Sequence, residues 1–249
     1  MNGFLYVASQ SAAFYKAAVH SAISLRDNYP EANITLFTHA DFVQESDRKF
    51  FDKIETGIPI HKRAKMYAMA RTPYENTFYL DADTEIRSEN IKKVFDILGK
   101  NDIMFTRIIP KVSKDRVIDR MNNLEYHGGV VLYNSKKLTI QLMQDWYETY
   151  LLQDKCQWDQ SQFAKYNPRM KPWDQFTIWY LLNADPKYKK IKHDFFPDGG
   201  HSYNYINLFE NYDEFKEIEQ IVYHYTIPRD RIINAVNLAP KSRSTENFN

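Results

Sequence analysis

The sequence predicts an α/β fold with a parallel sheet running through its first half, and three observations carry that prediction. Short apolar segments alternate with helix-like ones, in the order strand, helix, strand, helix, helix, strand, over residues 1–83. The apolar segments are continuous rather than alternating, as expected of strands covered on both faces. Gly (7) and Pro (10) do not cluster, so no domain boundary is marked along the 249 residues.

The elements come in order. GFLYVAS (3–9) has no solvent-facing alternation and reads as a central strand. In SAAFYKAAVHSAISLRDNYP the residues Phe14, Ala18, Ala22 and Leu25 recur at helical spacing, Ser11 stands as an N-cap and Pro30 closes the helix. NITLFTH (33–39) is a second strand. ADFVQESDRKFFDKI is expected to be a polar helix, and HKRAKMYAMARTPYEN another, stopped by Pro73. TFYLDAD is a third strong strand. In the second half NDIMFTRII and HGGVVLYN read as strands, and KKLTIQLMQDWYETYLLQ as an amphipathic helix. WDQSQFAKY and WDQFTIWYLLN read as shorter helices, and IVYHYTIPRDRII as a strand entering a loop. Ligands of parallel α/β sheets sit beyond the carboxyl ends of the strands, so VAS and DAD are expected to face one crevice.

Composition narrows the partners. Lys plus Arg (33) balances Asp plus Glu (32), which argues against nucleic acid or another polyanion. The single cysteine, Cys156, excludes a disulfide framework within the chain. Together with an N-terminus that lacks a basic, apolar leader, it leads to the expectation of a cytoplasmic protein. No stretch reaches the ~18 apolar residues of a membrane span. Aromatic residues make up 15% of the chain, a surplus that suits stacking on bases or sugar faces as well as a core.

NTFYLDADTEI (76–86) ends a strand on two carboxylates, Asp81 and Asp83, one residue apart. Like charges so placed need a counter-charge. Oxygen ligands at a strand end suit a hard divalent cation, Mg²⁺, Mn²⁺ or Ca²⁺, rather than zinc. With only one or two protein carboxylates, Mg²⁺ and Mn²⁺ complete their shell with phosphate oxygens and water, so the pair also predicts a phosphate-bearing ligand. The plainer alternative is a solvated acidic turn. A phosphatase of the haloacid-dehalogenase kind also ends a strand on D-x-D, but its motif continues to a Thr. Here Thr84 falls one position early, Glu85 stands in its place, and the strand is the third rather than the first.

RAKMYAMARTPYENTFYLDADTEI resembles the approach to the D-x-D motif in nucleotide-sugar-dependent glycosyltransferases of the GT-A fold. The nearest pattern is glycosyltransferase family 8, the glycogenin-like and lipopolysaccharide galactosyltransferase enzymes. The resemblance spans most of the chain through ordered motifs. It implies one GT-A domain over residues 1–249 with a mixed central sheet. Residues 1–100 would form the nucleotide-binding half, and 101–249 the donor-sugar and acceptor half.

The resemblance also implies roles. Val7, Ala8 and Ser9 would hold the nucleotide base, with Tyr15 stacking on it. RAK is similar to the family's R-x-K, shifted by one residue, which makes Arg63 and Lys65 the donor-contacting cations. Asp81, Ala82 and Asp83 would bind the donor and its metal. HGGVVLYN is similar to a strand of the form N-x-G-V-h-h-h-N. Gly128 and Gly129 would let the backbone approach the sugar, His127 stands near the family's Asn, and a bulge is the plainer reading of the Gly pair. WDQFTIWYLLN is similar to the D-Q motif that orients the sugar. Asp174 and Gln175 are preferred over the first copy of WDQ, with Asp159 and Gln160, because a helix, a strand and SYNY come after them at about the family's spacing. IVYHYTIPRDR is similar to the family's terminal H-Y segment, with His224 as third metal ligand. The family's Gly and Lys are missing there, and Arg229 or Arg231 would supply the charge.

The expected activity is therefore transfer of a sugar from a nucleoside diphosphate, UDP foremost, to a glycan or other hydroxyl acceptor, with Mn²⁺ or Mg²⁺ and with retention. Inversion would need a carboxylate base, Asp159 or Asp174. A nucleotidyltransferase is disfavoured because YVASQSAAF has no glycine for a phosphate loop. A non-catalytic module that binds a nucleotide-sugar is a further alternative. Trp146, Trp158, Trp173 and Trp179 are candidate sugar platforms, although core packing is the commoner fate of such residues.

Overall fold

The computed structural model describes residues 1–107, 126–154 and 173–225. Asp159, Gln160, Trp158, Arg229 and Arg231 lie outside the described residues, as does the helix expected over WDQSQFAKY.

The order within the described residues is β1 (Asn2–Ala8), α1 (Ala12–Asn28), β2 (Ile34–Thr38), β3 (Lys53–Glu55), α2 (Ala64–Met69), β4 (Asn76–Leu80) and β5 (Thr84–Ile86). Next come β6 (Ile103–Arg107), β7 (Tyr126–Asn134), α3 (Lys137–Asp154), α4 (Asp174–Asn183), β8 (His193–Phe195), β9 (Tyr205–Ile206) and β10 (Val222–His224). Seven strands form one mixed sheet in the order β3-β2-β1-β4-β7-β6-β8. β1, β2, β3 and β4 run parallel, and β7 is antiparallel to both β4 and β6. β5, β10 and β9 form a second, small sheet.

The pleat sends alternate residues to opposite faces, and each face has its own cover. Phe4, Tyr6, Phe78 and Leu80 pack with Ala18, Ala22 and Leu25 of α1. Leu5, Tyr79, Val131 and Tyr133 pack with Met66 of α2, Trp146 of α3 and Ile178 of α4. β1 and β4 are thus buried on both faces, as their unbroken apolar runs require.

Two expected elements differ. The polar helix over ADFVQESDRKFFDKI is instead two 3₁₀ turns, Ala40–Phe42 and Glu45–Phe50, leading to the edge strand β3. No residue of either turn is buried. Phe42, Val43 and Phe50 pack on the core only in part, and a segment that short, with so little burial, gains too little to hold an α-helix. The helix over HKRAKMYAMARTPYEN is confined to α2, and its last turn tightens through Arg71 N–H to Ala68 O (2.9 Å) before Pro73. β5, β8 and β9 are strands of two or three residues with no legible pattern of their own. No described helix is long and apolar enough to cross a membrane.

Candidate active site at the carboxyl ends of β1 and β4

β1 and β4 are adjacent and parallel, so VAS and DAD do end on one side. A cleft of about 260 Å³ opens there, lined by Val7, Ser9, Gln10, Phe14, Lys62, Arg63, Ala64, Lys65, Tyr79, Asp81, Ala82 and Asp83. Its charge is mixed, three cations facing two carboxylates.

Asp81 continues the face of Tyr79, two residues before it, toward α2. The Tyr79 hydroxyl donates to its Oδ1 at 2.5 Å, and Lys65 Nζ donates to the same oxygen at 3.3 Å. Burial opposes ionisation of this carboxyl, but Lys65, His224 and the Tyr79 hydroxyl outweigh it and hold the pKa at about 2. Tyr79 itself is pushed far up by burial and by the neighbouring Asp81. Beyond Leu80 the chain turns tightly: Thr84 Oγ1 donates to Asp81 O at 2.8 Å, and Thr84 leads into β5.

β5 brings the distant histidine in. Thr84 pairs with His224 across the β5–β10 ladder, and Tyr225 N–H donates to Asp83 O at 3.0 Å. His224 Nε2 consequently lies 3.3 Å from Asp83 Oδ1. One ligand atom from each of Asp81, Asp83 and His224 falls within 4.8 Å of the others. Burial alone would lower the His224 pKa, but Asp83 and Asp81 raise it above 6.5. Two carboxylate oxygens and an imidazole nitrogen converging in this way can hold a divalent cation.

The glycine pair is both a bulge and a close approach. Phe105 of β6 faces Val131 while Thr106 faces His127, so residues 128–130 bulge out of β7. The bulge turns Gly128 O to Lys65 Nζ (2.7 Å) and Gly129 O to Asp81 N–H (2.8 Å). A Cβ on Gly129 would sit 2.7 Å from Asp81 Oδ2, 2.7 Å from His127 Cε1 and 2.8 Å from His224 Cε1. His127 accepts the Gly129 N–H on Nδ1 at 3.0 Å, and its ring meets that of His224 edge-on at 5.4 Å.

Asp174 opens α4, where the helix dipole favours an anion. Its carboxylate is fully buried and compensated by charge: Arg63 Nη2 is 3.0 Å from Oδ1 and Lys65 Nζ 3.8 Å from Oδ2. Burial works against the Arg63 charge, but Asp174 and Asp81 raise its pKa. Asp174 therefore stands behind Arg63 and Lys65 and clamps them. Gln175 beside it is buried, and its Oε1 has no hydrogen-bond partner among the described residues.

Several expected residues lie elsewhere than their sequence pattern implied. Tyr15 is in the core at 0% exposure, its hydroxyl donating to Asp47 Oδ2 and accepting from Gln44 N–H, both at 3.1 Å. Its neighbour Phe14 lines the cleft instead, because successive helical residues point about 100° apart. Ala8 is buried, and its carbonyl accepts from Thr38 Oγ1 at 2.8 Å. Ser9 lines the cleft and donates to His61 O at 2.9 Å. Trp146 is core, its indole N–H held by Asp174 O at 2.8 Å, and so is no sugar platform. Trp173 and Trp179 are half-buried. Phe14, Gln10, Lys62 and Tyr79 join the site without a motif to announce them. Only the parity of Tyr79 with Asp81 gave a signal in the sequence.

No protein-family model matches the sequence, and no curated protein matches it. Solved structures do. The galactosyltransferase LgtC, in complex with donor and acceptor sugar analogues, aligns at TM-score 0.57 and 15% identity, over 99% of this chain and 100% of that one. The glycosyltransferase GlyE of Streptococcus pneumoniae TIGR4 aligns at 0.60 and 13%, over 100% of this chain and 64% of that one. Mouse xyloside xylosyltransferase 1 aligns at 0.53 and 11%, over 92% of this chain and 100% of that one. The mixed seven-stranded sheet, with an acidic strand end meeting a histidine from the last described strand, is thus built on the GT-A glycosyltransferase fold.

Proposed function

We propose that this protein is a metal-dependent glycosyltransferase that moves a sugar from a nucleoside diphosphate, UDP foremost, to a hydroxyl of a glycan or similar acceptor, with retention of configuration. The observation that carries the proposal is the convergence of Asp81, Asp83 and His224 within 4.8 Å, beside a cleft that also presents Arg63 and Lys65. The donor set fits Mn²⁺ or Mg²⁺, which accept carboxylate oxygens, with the imidazole favouring manganese. When bound, such a cation supplies a positive charge for the diphosphate as negative charge grows on it.

The chain's own residues do the rest. Residues 1–100 would carry the nucleotide, with Val7, Ser9 and Phe14 as the apolar and small wall of its site. Arg63 and Lys65 hold fixed positive charge on the cleft side. Asp174 keeps both cations in place through contacts of 3.0 and 3.8 Å, so their charge need not reorganise as the leaving group departs. Gln175 Oε1, buried and without a partner among the described residues, is the acceptor offered to a sugar hydroxyl.

Thermal unfolding with a panel of nucleotide-sugars, with and without Mn²⁺, tests the proposal, because a ligand of the native state raises Tm by mass action. A Mn²⁺-dependent rise with a UDP-sugar is expected, lost in Asp83→Ala and in His224→Ala. No metal-dependent rise with any donor overturns it. So does hydrolysis of phosphomonoesters through a phosphorylated Asp81.

A further inference from the structure

His224 has a second ring nitrogen, and what holds it decides what Nε2 can do. A nitrogen that binds a cation must offer a lone pair, so the other nitrogen must carry the hydrogen. His224 Nδ1 lies 2.8 Å from Asn204 Oδ1, and Asn204 Nδ2 lies 2.8 Å from Thr106 Oγ1. All three residues are buried, at 3%, 4% and 1% exposure, which leaves the amide as the partner the imidazole has in place of water.

The backbone is bent to put Asn204 there. Asp198, Gly199 and Gly200 take left-handed conformations in succession, with φ of 53°, 71° and 75°. A Cβ on Gly200 would lie 2.6 Å from Thr106 Cγ2 and 2.9 Å from Phe196 Cβ. Only a glycine lets this turn close against β6 and deliver the next residues to Thr106. On the far side, Ser202 O accepts from Ile221 N–H (2.9 Å) and Val222 N–H (3.0 Å), and Ile206 pairs with His224. Asn204 is clamped between β6 and β10.

We propose that Asn204 is a positioning residue for the cation site, its carbonyl oxygen fixing His224 as the Nδ1–H tautomer with Nε2 turned to Asp83, and that Thr106 holds the amide in that orientation. The carbonyl oxygen can only accept, so it admits the tautomer that leaves Nε2 free. A partner of this kind is what ties a ligating histidine in place in metal sites. The inference rests on the cation reading of Asp81, Asp83 and His224 and adds two residues outside that set.

The test is Mn²⁺ affinity, read by electron paramagnetic resonance of the free ion, with no donor or acceptor present. Asn204→Ala is expected to weaken binding about 10- to 100-fold, the usual cost of losing an outer partner of a ligating histidine. Asn204→Asp, whose carboxylate still accepts from Nδ1–H, is expected to keep the parent's affinity, since a carboxylate also serves as such a partner. Rescue by aspartate separates positioning from a merely structural role, which would move Tm while leaving the affinity of the folded protein unchanged. If Asn204→Ala does not fold, the near-isosteric Thr106→Val is expected to weaken Mn²⁺ several-fold, and an unchanged affinity there overturns the proposal. An Asn204→Ala protein that folds and binds as well as the parent overturns it, as does an aspartate variant as weak as alanine. A parent protein that binds no Mn²⁺ overturns the cation reading itself, which is a different result.

Discussion

Replacing Gly129 by alanine adds one methyl group at the point where the bulge of β7 touches both ends of the candidate cation site. That methyl would lie 2.7 Å from Asp81 Oδ2, 2.7 Å from His127 Cε1 and 2.8 Å from His224 Cε1. All three distances are well inside van der Waals contact, so at least two side chains must move. Overpacking of this kind costs about 1–3 kcal/mol. In a chain of this size each kcal/mol lowers Tm by about 2–4 °C, so a fall of about 2–12 °C is expected. The groups displaced are the groups that would hold the ion. If about 1.4 kcal/mol of the strain falls on their geometry, Mn²⁺ affinity drops about tenfold. The neighbouring glycine is the control. A Cβ on Gly128 would meet Asp174 Oδ2 at 3.3 Å, Lys65 Nζ at 3.5 Å and Trp146 Cη2 at 3.6 Å, which needs only small shifts. Scanning calorimetry and Mn²⁺ titration of the two alanine variants decide the matter. Equal effects at the two positions, or a Gly129→Ala protein with parental Tm and affinity, would mean that this close approach does not shape the cation site.

Other outcomes come from the charges. Lys65→Met keeps the side-chain stem but leaves the buried Asp174 with Arg63 as its one cation among the described residues and removes the donor to Gly128 O and Asp81. Breaking a buried pair costs about 3–5 kcal/mol, and denaturant unfolding showing less than about 1 kcal/mol would mean Lys65 does not compensate these carboxylates. Stability should also fall as the solution is acidified from about pH 7.5 to about pH 5.5. Burial lowers the pKa of His20, His61, His193 and His201 below 6.5. The unfolded chain then takes up protons first, so stability present above pH 6.5 is lost as pH drops toward the folded values. His224 works the other way, its raised pKa adding stability below 6.5 that is lost as pH rises through its folded value. Tm measured across this range should decline, less steeply in His193→Gln and His201→Gln. A decline just as steep in both variants would show that these two rings are not buried as neutral groups.

How much was legible before folding differs from element to element. β1, β2, β4 and α1 were readable because their patterns are local: unbroken apolar runs for strands covered on both faces, helical spacing for α1. Asp81 and Asp83 were readable as a pair for the same reason, being close in sequence and at a strand end. The polar helix expected at 40–54 did not form because only the fold shows how little of it is covered: Phe51 is buried, while Phe42, Val43 and Phe50 are covered only in part. Tyr15 misled because a helix turns about 100° per residue, and whether residue 14 or 15 faces the cleft depends on how α1 seats on the sheet.

The α/β class, the parallel first half and the acidic strand end are written in the chain, since each depends on residues within one turn or one strand of each other. What answers those carboxylates is set by folding. His224 stands beside Asp83 because the three-residue strands β5 and β10 pair, and Asp174 meets Arg63 and Lys65 because α4 packs on the α2 face of the sheet. Strands that short carry no periodicity, and a buried charge shows its partner only when segments far apart in the chain exclude water together.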